Sequence, residues 1–385
     1  MSASRYALEK AVAISAVVRA CSLTSKVFHS LVTADTVTKK DKSPVTVGDF
    51  SAQAVVNTIL NAHFPQDGIV GEEDSADLRG EGEDKAKLRR QISELANEAL
   101  SRPEESSAVE QIQAQAKAWS GGNIETEKLL QAIDRGNHPG GNKGRVWALD
   151  PIDGTKGFLR GGQYAVCLAL IVDGQVQLGV MGCPNLPHDA SAPKPKEGDP
   201  SAKGRSDLGV VFVAERGQGA FQRAVDNSAL TPIKMRTLTS DANALASASF
   251  CESVEAGHSS QGTNARIAEL LGIKSPPVRM DSQAKYASIS RGDGDIYLRL
   301  PVGDGSYQEK IWDHAAGALL VEEAGGRVTD LAGRPLDFGQ GRTLKANKGV
   351  VAAYAGAGVH DKVVQAVQQA VTEEGREALL QHLSQ

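Results

Sequence analysis

The run Trp147-Ala-Leu-Asp150-Pro-Ile-Asp153-Gly-Thr155-Lys-Gly-Phe158 constrains this chain more than any other segment. An apolar stretch ends in two carboxylates three residues apart, directly before Gly-Thr, which reads as a strand that delivers two acids and then turns into a helix. Pro151 holds φ at about −65° and carries no N–H, while Gly154 tolerates backbone shapes that a Cβ forbids. The chain can therefore bend sharply and fan the acids apart. Thr155 is expected at the N-cap, with the free N–H groups of the helix start behind it. A helix start beside carboxylate-bound cations suits an anion, most naturally a phosphate. The alternative is that Asp150 and Asp153 only decorate a tight turn, since Pro, Asp and Gly are common turn residues.

Other acids stand in similar local settings. Gly68-Ile-Val-Gly71-Glu72-Glu73-Asp74 is a short apolar strand ending in acids, and Ile311-Trp312-Asp313-His314-Ala-Ala-Gly317 places an acid where a long helix begins. Asp49 follows Val45-Thr-Val-Gly48 and is expected to open the helical pattern Val55, Val56, Ile59, Leu60. Brought together without cations, such acids would repel and raise one another's pKa. Hard divalent ions with oxygen ligands, Mg²⁺ above all, resolve that conflict.

The composition is that of a soluble globular protein, with 41% hydrophobic and 23% charged residues, and 385 residues make one large or two ordinary domains. A net charge of −5 argues against a nucleic-acid partner, which calls for a basic face, but leaves room for a small anionic substrate. Cys21, Cys167, Cys183 and Cys251 lack CxxC spacing, and three of them lie in apolar runs, so buried reduced thiols are expected. Arg5, Lys10 and Arg19 interrupt the apolar N-terminus, so no signal-peptide core is expected there. No segment is expected to approach the roughly 20 apolar residues of a membrane span. These features point to a reducing, cytoplasmic-type compartment and to no membrane partner.

Leu8, Val12, Ser15/Ala16, Arg19 and Leu23 trace a helical stripe. Residues 77–145 read as a mostly helical insertion, either a lid or a passive surface layer: Leu88, Ile92, Leu95 and Ala99 repeat at helical spacing, Ser101-Arg-Pro breaks the pattern, and Leu129, Leu130 and Ile133 suggest a helix ended by Gly136. The runs 164–172 and 176–181 flank Asp173-Gly174, a hairpin signal, and 208–214 with 219–221 continue an antiparallel sheet. The Pro-, Lys-, Ser- and Ala-rich stretch 187–207 is expected as a surface loop. Further on, a strand at Ala246-Ser-Ala-Ser-Phe250, a helix near 264–271, a strand at 296–300 and helices at 313–324 and beyond His360 alternate, which favours a layered α/β arrangement. Gly-Ala-Gly at 356–358 lacks the Gly-Lys-Ser/Thr of a phosphate loop.

Asp150-Pro-Ile-Asp-Gly-Thr155, Trp312-Asp-His-Ala-Ala-Gly-Ala-Leu-Leu-Val-Glu-Glu-Ala-Gly-Gly326 and Gly71-Glu72-Glu73 resemble the signature set of the lithium-sensitive, magnesium-dependent phosphomonoesterases related to inositol monophosphatase. The long insertion after Glu73, with His258-Ser-Ser-Gln-Gly262 and Asp281-Ser-Gln-Ala-Lys-Tyr286, resembles the fungal and plant 3′(2′),5′-bisphosphate nucleotidases within that superfamily. The resemblance implies an α/β (α+β) fold, a layered α-β-α-β-α sandwich, with residues 1–237 as an N-terminal domain carrying most metal ligands and 238–385 as a second domain carrying Asp313 and the nucleotide contacts. It implies one Mg²⁺ held by Glu72, Asp150 and the carbonyl of Ile152, a second by Asp150, Asp153 and Asp313, and a third, weaker ion at Glu72. It also implies that Asp49 acts on the Thr155 hydroxyl to activate water, and that Thr155, His258, Ser282, Lys285, Arg299 and Asp313 contact substrate. The activity so implied is removal of the 3′-phosphate of 3′-phosphoadenosine 5′-phosphate, and secondarily of its 5′-phosphosulfate, in sulfate assimilation and salt tolerance, by a monomer sensitive to Li⁺ and Na⁺. Two rivals stand beside it: the same chemistry on an inositol mono- or bisphosphate, and a non-catalytic phosphate-binding regulator. His314 reads as structural.

Overall fold

The computed structural model describes residues 4–33, 43–102, 123–195, 198–199, 205–226, 229–254 and 261–381. Two long helices, α1 (Ala7–Thr33) and α2 (Ser43–His63), precede strand β1 (Gly68–Gly71). Helices α3 (Glu83–Leu100) and α4 (Thr126–Asp134) follow, then β2 (Arg145–Asp153), the five-residue helix α5 (Thr155–Leu159), β3 (Ala165–Val172), β4 (Gln175–Pro187), β5 (Leu208–Glu215), β6 (Gly219–Ala224) and β7 (Thr231–Ile233). These seven strands form one sheet in chain order; β1 and β2 are parallel and the other neighbours antiparallel. Asp173 and Gly174 both take positive φ, at 49° and 77°, which gives the tight turn between β3 and β4 the twist that antiparallel strands favour.

The second sheet has the order β11-β12-β10-β8-β9. Its strands are β8 (Phe250–Glu252), β9 (Val278–Arg279), β10 (Ile296–Arg299), β11 (Gly326–Thr329) and β12 (Val350–Tyr354). Helix α6 (Ala242–Ala246) precedes them, and between them run α7 (Gln261–Leu271), α8 (Ala284–Ser290), a 3₁₀ turn at Ile311–Asp313 and α9 (Ala315–Glu323); α10 (Val359–Glu373) follows the last strand.

The period of two along each strand sorts the layers. Trp147, Leu149, Leu168 and Leu170 pack under Val12, Ala16, Val55 and Ile59 of α1 and α2. Their neighbours Val146, Ala148, Cys167 and Ala169 face the other way, into a core shared with Tyr286 of α8, Leu319 of α9, and Tyr297, Val350 and Ala352 of the second sheet. Val351, Ala353 and Leu298 then face Ile267 of α7 and Val363 and Val367 of α10. The result is helices, sheet, helices, sheet, helices. All four cysteines are reduced and buried, as expected.

Four sequence expectations are corrected. Asp49 does not open a helix but lies within α2, which starts at Ser43 with Pro44 in the first turn, where a missing N–H leaves no bond unmade. The stretch Ala246–Phe250 is not a strand: Asp241 accepts the Ala244 N–H at 2.9 Å and starts α6, and pairing begins only at Phe250. Small Ala and Ser side chains gave a strand little to hold there. Thr155 is the first helical residue and not the cap, a place taken by Gly154. Finally, α1 is long and apolar enough to cross a membrane by length and composition, yet 78% of the apolar window is buried within the fold. Its Arg19, 4% exposed, donates to the carbonyls of Ala99, Leu100 and Arg102 and so caps the C-terminal end of α3.

Candidate active site

Asp150 follows Val146 and Ala148 on the inward face of β2, opposite Cys167, and is 2% exposed. The register then shifts between Asp150 and Asp153, because Pro151 has no N–H for the ladder and the chain bulges. The bulge sends Ile152 into the helical core, where its Cδ1 lies so close under Gly48 of α2 that a Cβ there would stand 2.9 Å away. Asp153 is returned to the cleft side. Gly154, at φ 90° and ψ 41°, then turns the chain into α5, and a Cβ on it would come within 2.7 Å of the Ser282 Cβ. The Thr155 hydroxyl donates to the carbonyl of Ile152 at 3.4 Å.

Because β1 runs parallel to β2 with Gly71 beside Leu149, Glu72 emerges next to Asp150. From the other half, the 3₁₀ turn brings Asp313. Asp150, Asp153 and Asp313 each offer an oxygen, and these lie within 4.8 Å of one another. Burial, together with Glu72, Asp153, Asp313 and Asp49, pushes the Asp150 carboxyl far above the usual carboxylate range. Burial and Asp153 do the same to Asp313, against the pull of Arg299. Asp150 Oδ1 is buried with no hydrogen-bond partner among the described residues. Three close carboxylates and an orphaned buried oxygen fit a divalent cation with oxygen ligands: the ion would satisfy the lone pairs and cancel the repulsion that otherwise forces protons onto them.

Cations line the same cleft. Lys285, expected only by resemblance, is 3% exposed; its Nζ donates to the carbonyls of Met280 (3.3 Å) and Ser282 (2.8 Å) and lies 5.4 Å from the Tyr297 ring centroid. Burial pulls its ammonium down to about 8, against Asp153. Arg299 donates through Nε to Glu309 Oε1 at 3.0 Å, and Glu309 Oε2 pairs with His314 Nε2 at 3.2 Å. Burial would raise the Glu309 carboxyl, but His314 and Arg299 hold it down to about 2. His314, buried, also meets the Tyr286 hydroxyl at 2.8 Å. Ser282 takes a left-handed φ of 67°, which lets the next N–H, that of Gln283, point at Asp153 Oδ2. Gln283 also donates to the Trp312 carbonyl at 2.8 Å, so it ties Asp153 to the residue that precedes Asp313.

A cleft of about 900 Å³, part of it open to solvent, gathers Glu72, Asp150, Ile152, Asp153 and Thr155 from one half with Ser282, Lys285, Arg299 and Asp313 from the other. Asp49 does not line it. The residue is 7% exposed within α2, its Oδ1 lacks a partner among the described residues, and burial with Glu73 and Glu72 pushes its carboxyl well up. The Thr155 hydroxyl turns to Ile152 and not to Asp49. His258 lies outside the described residues. Gln283, Glu309 and Tyr286 were not singled out by sequence. Gln283 and Tyr286 sit inside the Asp281–Tyr286 motif and Glu309 four residues before Asp313, so proximity to a motif was the only available signal.

Residues 7–372 match the inositol monophosphatase family. The chain belongs to that family. This inositol monophosphatase family member is 49% identical over 362 residues to the 3′(2′),5′-bisphosphate nucleotidase of Schizosaccharomyces pombe, covering 93% of this chain and 94% of that one. It is 50% identical over 368 residues to the protein of the same name from Emericella nidulans, covering 94% and 98%. It is 45% identical over 309 residues to 3′(2′),5′-bisphosphate nucleotidase 1 of Arabidopsis thaliana, covering 80% of each. Its fold matches an inositol monophosphatase from Zymomonas mobilis with a TM-score of 0.53 at 17% identity, over 95% of this chain and 99% of that one. An inositol monophosphatase from Anabaena superposes with a TM-score of 0.50 at 20% identity, over 94% and 95%. These two likenesses speak for the fold, which is the layered one expected.

Proposed function

We propose that the protein is a magnesium-dependent phosphomonoesterase that removes the 3′-phosphate of 3′-phosphoadenosine 5′-phosphate, releasing AMP, and that acts likewise on the 5′-phosphosulfate. The observation that carries this reading is one cleft with two chemistries: Asp150, Asp153 and Asp313 within 4.8 Å of one another, and Lys285 and Arg299 lining the same cleft. A substrate with a single phosphate needs only the first. A bisphosphate uses both, and the names of the similar fungal and plant proteins support the same substrate class.

Asp150, Asp153 and Asp313 would hold one Mg²⁺, and Glu72, Asp150 and the carbonyl of Ile152 another. Bound Mg²⁺ neutralises phosphoryl oxygens and makes water easier to deprotonate. The chain supplies the rest. Thr155, at the cleft floor, orients the attacking water through its hydroxyl, and the buried Asp49 carboxyl behind it takes up the proton. Serving in this way requires the Thr155 hydroxyl to turn from Ile152 toward Asp49. Lys285, Arg299 and Ser282 hold the second phosphate, with His258 as a further contact, and Glu309 keeps the Arg299 guanidinium from swinging to the acids.

Phosphate release from 3′-phosphoadenosine 5′-phosphate and from inositol 1-phosphate, measured side by side with and without Mg²⁺ and with added Li⁺, tests the reading. A Mg²⁺-dependent, Li⁺-sensitive preference for the nucleotide is expected. Preference for the inositol ester would overturn the substrate, and binding without phosphate release would overturn the catalysis.

A further inference from the structure

Arg342 lies between β11 and β12, in the half that carries Asp313, but its side chain reaches the half that carries Glu72. Nη1 donates to the carbonyls of Gly136 (2.8 Å) and His138 (3.1 Å), and Nη2 to the carbonyl of Gly71 at 2.6 Å. Gly71 ends β1 and immediately precedes Glu72. The guanidinium carbon lies 4.9 Å from the centroid of the Trp312 ring, and Trp312 immediately precedes Asp313. The backbone around Arg342 is tied to the same turn: its carbonyl accepts the Ile311 N–H at 3.1 Å, the Leu344 N–H donates to Glu309 at 2.8 Å, and Lys310 bridges Thr343. One side chain thus bonds the carbonyl that leads into Glu72, bonds twice the 136–138 segment that itself pairs with β1 through Gly71 N–H to Gly136 (2.9 Å) and His138 N–H to Ile69 (3.0 Å), and stacks on the residue that leads into Asp313.

We propose that Arg342 is the positioning residue that holds Glu72 in register with Asp313, and so sets the geometry of the carboxylate cluster across the two halves of the cleft. The inference rests on the magnesium reading above. Carboxylates repel one another, and nothing in β1 itself keeps Glu72 at a fixed distance from a turn contributed more than two hundred residues later. A planar fork with donors on two edges can bond Gly71 on one side and Gly136 and His138 on the other while its face covers an indole. A lysine ammonium is a single point of charge and cannot do all three. Residues that orient metal ligands from behind typically change metal affinity by about 10- to 100-fold when lost.

The test is a calorimetric titration of Mg²⁺ into the chelator-stripped full chain, parent against Arg342→Lys and Arg342→Ala, together with unfolding temperatures in chelator and kcat at saturating Mg²⁺. Arg342→Lys is expected to weaken Mg²⁺ binding by about 10- to 100-fold and to raise the Mg²⁺ needed for half-maximal rate, with kcat largely recovered at saturation. A folded variant that binds Mg²⁺ as the parent does, or one that only melts earlier, overturns the inference. If the alanine variant does not fold, the lysine variant decides. A parent chain that takes up no Mg²⁺ would overturn the metal reading itself, an outcome distinct from a parent and variant that bind alike.

Discussion

Lys285 is a buried ammonium whose hydrogen bonds among the described residues are to two carbonyls, so its charge is held at the expense of solvation, and burial lowers it to about 8. The sign follows: the ammonium is present below that value and lost above it. KM for a bisphosphate should therefore rise from roughly pH 7 to pH 9, a window of one unit either side of the midpoint. Lys285→Met should flatten this dependence and raise KM at neutral pH by about 10- to 100-fold, since a charge-assisted hydrogen bond contributes ~1.5–3 kcal/mol. Parent kinetics with a pH-independent KM would remove Lys285 from substrate binding. Asp150 makes the opposite case. It is buried among like charges, so Asp150→Ala relieves repulsion and should leave the apo chain at least as heat-stable as the parent while abolishing turnover. Substantial remaining activity would sink its role as the shared ligand.

The bulged end of β2 and the short α5 form one device. Pro151 breaks the ladder, Ile152 anchors in the helical core under Gly48, and Gly154 turns the chain at φ 90° against Ser282. Gly154→Ala should cost ~1–3 kcal/mol of stability, the strain of a left-handed residue with a Cβ, and should lower turnover because the Cβ would push the Ser282 loop away. Urea unfolding and steady-state rates would check both; an unchanged rate would mean the two loops do not need their contact. The strand, the turn and the following helix were legible in the sequence, because Pro, Gly and the acids act within a few residues. The identity of the cap was not: Thr is a common N-cap, and only the positive φ of Gly154 moved it one place. In α1 a similar limit applies to Arg19: it stands on the stripe read from the sequence, but its partners, the carbonyls at the end of α3, were not legible there.

The stacking of two sheets around a central helical layer puts carboxylates from both halves into one cleft, and their protons then become part of the stability of the whole chain. Burial, Glu72 and Asp74 push Glu73 up to about 7, and burial with neighbouring acids raises Asp150 and Asp313 well above the usual carboxylate range. A carboxyl with a raised folded-state pKa binds its proton more tightly when folded, so its destabilisation is present above that pKa and relieved as pH falls through it. The stripped chain should therefore gain heat stability from roughly pH 8 to pH 6, and added Mg²⁺ should raise the melting temperature more at the higher pH, where it does not compete with protons. Equal Mg²⁺ shifts at both pH values would show that the cluster is not where the ion binds.

Local chemistry was readable before any fold was known. Turn residues at 173–174 announced the hairpin, apolar runs ending in acids announced strands that feed a site, and the motifs around Asp150 and Asp313 announced the cluster, because each signal lies within a dozen residues. The partners were not readable. Glu309 on Arg299, Gln283 on Asp153 and Arg342 on Gly71, 271 residues apart, are contacts between segments that no periodicity relates. Nor did sequence reveal that Asp49 does not line the cleft or that Lys285 is buried, since burial is a property of what packs on a side chain and not of the side chain itself.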